Sequence, residues 1–126
     1  MKPGTIYVAP GDWHMTVVGS NALTIRLGRE PPVHFCRPAV HPLFKSVAAN
    51  FGPAALGIVL TGMGNDGTDG ARAIADAGGS VIAQDEESSV VWGMPGAAAL
   101  SGACAAALPP ASIAETAAGL LRGQRP

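Results

Sequence analysis

The amino-acid sequence predicts an α/β fold with three layers, built on a mostly parallel, Rossmann-like sheet with an antiparallel β-meander near the N-terminus. Three observations predict it. Beyond residue 53, apolar strand-like runs alternate with helical runs, and 16 of the 23 alanines lie beyond residue 66. With 48% hydrophobic and 13% charged residues, the chain has the composition of one compact domain. Only 5% of its residues are aromatic, so closely packed Val, Ile, Leu and Ala side chains must form the core.

Residues 1–53 are expected to hold the meander, a proline-rich loop and one helix. The β-prone runs are IYVAP, HMTVV and ALTIRL, which occupy residues 6–10, 14–18 and 22–27. Pro-Gly-Asp and Gly-Ser-Asn separate these runs, and both are strong turn signals. Four prolines make 30–42 a loop. A helix is predicted from about Pro42, at its first position, to Asn50, because Gly52 and Pro53 end it.

Residues 54–126 are expected to form a region of alternating strands and helices. The unbroken apolar run LGIVLTG, at 56–62, suits a strand buried on both faces. TDGARAIADAGG, at 68–79, is typical of a helix with acids in its first turn and glycines at its end. The remaining predicted elements are a strand at 80–85, a helix at 95–100, a strand at 104–109 and a helix at 110–123. This alternation implies parallel strands joined by right-handed crossovers.

Charge, cysteine content and hydropathy exclude several functional classes. The net charge of −1 is spread along the chain, so the basic patch of a nucleic-acid binder is missing. Two cysteines cannot form a disulfide framework, which favours a reducing compartment. The N-terminus lacks the apolar region of a signal peptide, and the small-residue tract at 97–108 is too short to span a bilayer. We therefore expect a cytoplasmic protein with no membrane insertion and no nucleic-acid partner.

The loop LTGMGNDGTDG is the most informative stretch, because it joins a buried strand to a helix at the carboxyl edge of a parallel sheet. Ligands bind at this edge in open α/β sheets. Gly62, Gly64 and Gly67 have the G-x-G-x-x-G spacing of a dinucleotide-binding turn, and Asp85 follows about 20 residues later. Nucleotide binding ranks second here, because the Asp66 carboxylate would oppose a pyrophosphate at this helix N-terminus.

Two interpretations of Asp66 remain open from the pattern. Its carboxylate is well placed to orient a catalytic histidine by accepting the Nδ1 hydrogen. Alternatively, Asp66 is the N-cap of a helix at 67–77, with Asp69 as the acid at the third helical position.

A metal site is a weaker interpretation of the proline-rich loop. His34, Cys36 and His41 form an H-x-C-x₄-H pattern, but no fourth ligand has suitable spacing. The loop at 65–70 has only a fragment of a calcium-binding pattern. We therefore expect neither a metal nor another cofactor.

The chain resembles the chemotaxis protein-glutamate methylesterases, which remove methyl esters from receptor glutamates and often deamidate receptor glutamines. The matching segments are TIYVAPGDWHM, PAVHPLFKSVA, LGIVLTGMGNDGTDGARAI and GGSVIAQDEESSVVWGMPGAAALSGA, which cover nearly the whole sequence. The resemblance implies that Asp66 is the acid of a Ser-His-Asp triad. It also implies that Gly62, Met63 and Gly64 lie beside the acyl site, with Gly93, Met94 and Pro95 on a neighbouring loop.

The resemblance also implies that two triad members are missing from this sequence. None of the seven serines lies in a G-x-S-x-G turn, and no histidine lies in the family's histidine motif. His14 matches a position after the APG turn, and Ala39 and His41 replace the usual Ser and Asp of a P-S-V-D run. We therefore expect a partial catalytic domain over 1–126, divided near residue 53, that is inactive alone.

The resemblance implies that the partner is a methyl-accepting chemotaxis receptor. The competing interpretations are a non-catalytic remnant that binds a receptor or another protein, and nucleotide binding through the glycine loop. An incomplete parallel sheet exposes a strand edge, so we expect self-association into a homodimer.

Overall fold

The computed structural model describes residues 1–123. Within that range the chain forms β1 (His14–Val18), β2 (Thr24–Gly28), α1 (Val40–Phe51), β3 (Leu56–Val59), α2 (Thr68–Asp76), β4 (Ser80–Gln84), α3 (Gly93–Leu100), β5 (Ala106–Leu108) and α4 (Pro110–Leu121). A single 3₁₀ turn at Gly52–Ala54 links α1 to β3. No helix of the described chain is both long enough and apolar enough to cross a bilayer.

Two sheets organise the fold. Strands β3, β4 and β5 form a parallel sheet in that order, with Gly57 opposite Val81 and Ile82 opposite Ala106. Strands β1 and β2 form an antiparallel hairpin. These sheets and their helices confirm the predicted α/β class. Within the described residues β3 is an edge strand, and the self-association expected from such an edge stays a prediction.

Helices cover both faces of the parallel sheet, which produces the three predicted layers. Side chains alternate between faces along a strand. Gly57 faces α1 and α2, since a Cβ placed there would lie 3.0 Å from both Phe44 and Ile74. Leu56 and Ile82 face the other way and line a groove with Leu120 of α4. The main core lies on the α1–α2–α3 side, and its buried members are Ala48, Ala55, Val59, Ala71, Ile74, Val81, Ala98 and Ala103.

The predicted antiparallel sheet near the N-terminus is confirmed, but only two of the three predicted runs are strands. Residues 6–10 form no strand, and within residues 1–123 they pair with no other strand. The side chains of Ile6 and Val8 are 91% and 82% exposed. A β-prone sequence becomes a strand only where a neighbouring strand completes its hydrogen bonds. The third run forms β2 two residues later than predicted, in register with β1.

The proline-rich loop leads into α1, which begins at Val40, two residues earlier than predicted. Pro42 therefore occupies the third helical position, where its missing N–H costs little because the first-turn amides lack partners within the helix. The hairpin packs on this helix through polar contacts. The Val17 N–H donates to Ser46 Oγ at 3.0 Å, and Asn50 Nδ2 donates to the Val17 carbonyl at 3.0 Å.

Candidate functional site

The site predicted from the sequence lies where β3 and β4 end, and two loops meet there. We call residues 60–67 the Asp66 loop and residues 85–92 the neighbouring loop. The Gly62 N–H donates to the Val91 carbonyl at 3.0 Å, and the Met94 N–H donates to the Gly62 carbonyl at 3.0 Å. A Cβ on Gly93 would lie 2.9 Å from the Gly62 oxygen, so only glycine permits this approach. The structure therefore brings Gly62 close to Gly93 and Met94, which lie in the first turn of α3 and not on a loop.

The remaining members of the predicted loop set lie in different environments. The side chain of Met63 is 80% exposed. Across residues 1–123, the backbone N–H groups of Met63 and Gly64 donate to no protein acceptor, whereas the Gly62 N–H is already used. Pro95 is fully buried in the first turn of α3 and has no N–H to donate. Within the described residues, Met63 and Gly64 therefore each leave a backbone donor on the Asp66 loop without a protein acceptor.

Asp66 is buried, with 3% of its surface exposed, and its carboxylate points to the N-terminus of α1. Oδ2 accepts the Val40 N–H at 2.5 Å, and Oδ1 accepts the His41 N–H at 3.3 Å. The alternative that Asp66 caps its own helix is wrong. The N-cap of α2 is Gly67, in a left-handed conformation with φ 102°, and this helix has no side-chain cap. Asp66 instead caps a helix that lies 25 residues earlier in the chain.

The α1 N-terminus needs this carboxylate because its own N-cap residue offers none. Ala39 is the N-cap, and an alanine side chain cannot accept a backbone N–H. Its backbone N–H donates to Nδ1 of the buried His14 at 3.3 Å. Nε2 of His14 must then carry the proton, and it lies 3.0 Å from the Pro31 carbonyl. His14 therefore holds the proline-rich loop in place and has no free nitrogen for proton transfer.

The histidines and cysteine of the weaker metal pattern do not converge. His34 and His41 pack edge to face with ring centroids 6.1 Å apart, and Nδ1 of His41 is buried without a hydrogen bond. Cys36 Sγ contacts the His34 carbonyl instead of a shared centre. Oδ2 of Asp69 lies 3.8 Å from Nε2 of His34. In the chain as far as residue 123, no three His, Cys, Asp or Glu side chains come together in a way that could hold a metal ion.

Sequence reasoning missed one polar group that links the two loops. Gln84 ends β4 and is 4% exposed, and its Oε1 accepts the Thr61 N–H at 2.9 Å. Its backbone carbonyl accepts the Trp92 indole N–H at 3.0 Å. The signal available in the sequence was a polar residue directly after the apolar run at 81–83.

Comparison with known proteins gives concordant matches. A family model described as CheB methylesterase matches residues 1–117. The chain is 57% identical over 115 residues to protein-glutamate methylesterase/protein-glutamine glutaminase 1 of Rhodospirillum rubrum. That alignment covers 90% of this chain and 30% of the relative. It is 56% identical over 126 residues to the group 2 operon protein of the same name from Bradyrhizobium diazoefficiens, covering 99% of this chain and 32% of the relative. The chain thus spans about a third of the length of these curated relatives.

A solved structure is similar to this fold as well. The Thermotoga maritima CheB methylesterase catalytic domain matches with a TM-score of 0.87 at 37% sequence identity. The match covers 90% of this chain and 61% of that one. This likeness confirms the fold class and shows that the chain corresponds to part of that catalytic domain.

Proposed function

The chain belongs to the CheB methylesterase family, and from this membership we propose that Asp66 is the acid of a Ser-His-Asp triad in a protein-glutamate methylesterase. The substrates are glutamate methyl esters, and in part glutamine amides, of chemotaxis receptors. The nucleophile and the base come from outside the 126 residues. Both cysteines are free, which agrees with work in the reducing cytoplasm. No cofactor is needed for this acyl transfer.

The observation that carries the proposal is the environment of the Asp66 carboxylate. A buried carboxylate must be hydrogen-bonded to remain charged, and the N–H groups of Val40 and His41 meet this need at the positive end of α1. An ionised carboxylate can accept about four hydrogen bonds, so two donors leave capacity for a histidine Nδ1–H. The geometry therefore suits an acid that fixes the tautomer of a histidine and stabilises the imidazolium.

The reaction divides into acylation and deacylation. The serine Oγ attacks the ester carbonyl while histidine takes its proton, and the tetrahedral intermediate then expels methanol, which receives that proton. Water hydrolyses the acyl-enzyme by the same route and leaves a glutamate. The negative oxygen of the tetrahedral intermediate needs fixed donors, and the open N–H groups of Met63 and Gly64 suit that role.

A chimeric enzyme tests this proposal. In the Rhodospirillum rubrum relative, this chain would replace the 115 aligned residues, and methanol release from methylated receptor would be measured. We expect activity in the chimera and none in the 126-residue chain alone. Asp66→Asn should lower kcat about 10²- to 10⁴-fold, because the amide cannot hold the required tautomer.

The matched control is Asp69→Asn, which neutralises an exposed carboxylate three residues away on α2. This variant should keep nearly full activity. Since Asp66 also caps α1, thermal unfolding of both variants would separate loss of fold from loss of chemistry. A folded Asp66→Asn chimera with unchanged kcat would refute the triad role, and turnover by the chain alone would refute the missing-partner premise.

A further inference from the structure

Gln84 uses every hydrogen-bonding group of its side-chain amide. Oε1 accepts the Thr61 N–H at 2.9 Å, while Nε2 donates to the Ser88 carbonyl at 3.0 Å and to Ser88 Oγ at 3.1 Å. Thr61 belongs to the Asp66 loop and Ser88 to the neighbouring loop. One buried amide at the end of the central strand therefore holds both loops.

Thr61 links Gln84 to the glycine turn at residues 62–64. Its Oγ1 donates to the Val91 carbonyl at 2.8 Å and accepts the Val91 N–H at 2.9 Å. The next residue, Gly62, donates to the same Val91 carbonyl at 3.0 Å. Because Gly62 precedes Met63 and Gly64, a displacement of Thr61 would also move the two open N–H groups.

We propose that Gln84 is a positioning residue that fixes the Asp66 loop relative to the neighbouring loop, and so sets where the Met63 and Gly64 N–H groups point. The inference rests on the proposed function for its effect on catalysis. A neutral amide provides both an acceptor for the Thr61 N–H and a donor for the Ser88 carbonyl. A carboxylate of the same shape keeps the acceptor but turns its second oxygen toward that carbonyl, which is repulsive.

The change Gln84→Glu tests the proposal through pH. Burial raises the pKa of the introduced carboxyl, and the protonated acid can again donate to the Ser88 carbonyl. In the Rhodospirillum rubrum chimera, we expect kcat/KM of this variant to be about tenfold to a hundredfold below the unmodified chimera at pH 8. The ratio should recover to within about threefold at pH 6. Dividing by the unmodified chimera cancels the titration of the catalytic histidine.

Two further variants complete the activity test. Gln84→Met has similar length and no hydrogen-bonding group to protonate, so its ratio should be low and independent of pH. Ser88→Ala keeps the backbone carbonyl that accepts from Gln84 and should lose little activity. A flat ratio for a folded Gln84→Glu variant, or full activity at pH 8, would overturn the proposal.

Amide hydrogen exchange in the 126-residue chain supplies a readout that does not depend on catalysis. In Gln84→Glu, the Gly62 and Val91 amides, whose hydrogen bonds cross between the two loops, should lose protection at pH 8 relative to the unmodified chain and regain it at pH 6. Unchanged protection at pH 8 would overturn the positioning role even if the chimera were active. An inactive unmodified chimera with the expected exchange pattern would instead refute the proposed function alone.

If Gln84→Glu fails to fold, Thr61→Val tests the link between the two loops instead. It removes the hydroxyl link to Val91 and leaves Gln84 in place. We expect kcat/KM to fall about tenfold with an unchanged pH profile, because the glycine turn loses the two hydrogen bonds between Thr61 Oγ1 and Val91. No loss in a folded Thr61→Val chimera would overturn the proposal.

Discussion

Residues 6–10 and strand β4 have similar β-prone sequences, IYVAP and SVIAQ. Only the second of them forms a strand. In β4, Val81 and Ala83 are completely buried and Ile82 is 4% exposed. In 6–10, Ile6 and Val8 are almost fully exposed. The difference lies in the neighbours, because β4 pairs with both β3 and β5 whereas 6–10 pairs with no strand of the described chain.

This contrast teaches that β-propensity measures how well a residue fits a partly buried, paired surface. Strand β4 satisfies its backbone from both sides and packs its side chains against helices on both faces. In the N-terminal region, surface ion pairs join Asp12 to Arg29 and Arg37. The hairpin makes polar contacts with α1, and Val17 of β1 is buried. The two regions should therefore respond very differently to matched substitutions.

The largest expected effect comes from the same substitution made in both segments. Val81→Ala removes two buried methyl groups and should lower the free energy of unfolding by about 2–3 kcal/mol. Val8→Ala removes the same atoms from an exposed site and should change it by less than about 0.5 kcal/mol. Urea unfolding followed by circular dichroism measures both. Equal losses would show that residues 6–10 are packed in solution and would break the comparison.

A smaller effect is expected when a methyl group is added beside each segment. A Cβ on Gly79, just before β4, would lie 2.8 Å from the Ala55 carbonyl and 2.8 Å from Ile74 Cγ2. Gly79→Ala should therefore cost about 1–3 kcal/mol of stability through overpacking. Gly11, just after 6–10, has open space around its Cβ position and is the control. Gly11→Ala should be close to neutral in the same unfolding assay, and a neutral Gly79→Ala would show that the core there can yield.

The smallest effect concerns the surface ion pairs of Asp12 within the N-terminal region. The hydrogen bond and charge of Arg37, together with Arg29, lower the pKa of Asp12 below its ordinary value of 3.8. A depressed carboxyl pKa stabilises the fold above the unfolded pKa, and this contribution is lost as pH falls below 3.8 through the folded value. Arg37→Gln should raise the pKa of Asp12 in an NMR titration, by less in high salt.

The control for that titration is Arg26→Gln, since Arg26 pairs with Glu30 and not with Asp12. It should leave the Asp12 titration unchanged while raising the pKa of Glu30. An unchanged Asp12 titration in Arg37→Gln would mean that the pair does not persist in solution.

Much of the secondary structure follows from local pattern. The alternating apolar and helical runs beyond residue 53 predict β3, α2, β4, α3, β5 and α4 in the right order. The limits differ by a few residues because caps depend on partners from elsewhere. Helix α3, for example, begins at Gly93 and not Pro95, since the Met94 N–H finds an acceptor in Gly62 on the other loop.

The candidate site divides along the same line. The position of Asp66 between a buried strand and a helix marks it in the sequence as a candidate site residue. The sequence does not reveal its hydrogen-bond partners, because the nearest helix N-terminus is that of α2 and the local pattern leaves a cap on α2 open. The role of Gln84 is hidden for the same reason, since its hydrogen bonds join loops that are far apart in sequence.

The sequence by itself determined the alternation of strands and helices, the core of small side chains and the glycine turn around Asp66, because these depend on neighbours within a few residues. Only the tertiary structure decided that Asp66 caps α1, that Gln84 hydrogen-bonds to both loops and that residues 6–10 pair with no strand in residues 1–123. Each depends on which groups from distant parts of the chain come within hydrogen-bonding distance. Packing sets those distances, and local sequence does not encode them.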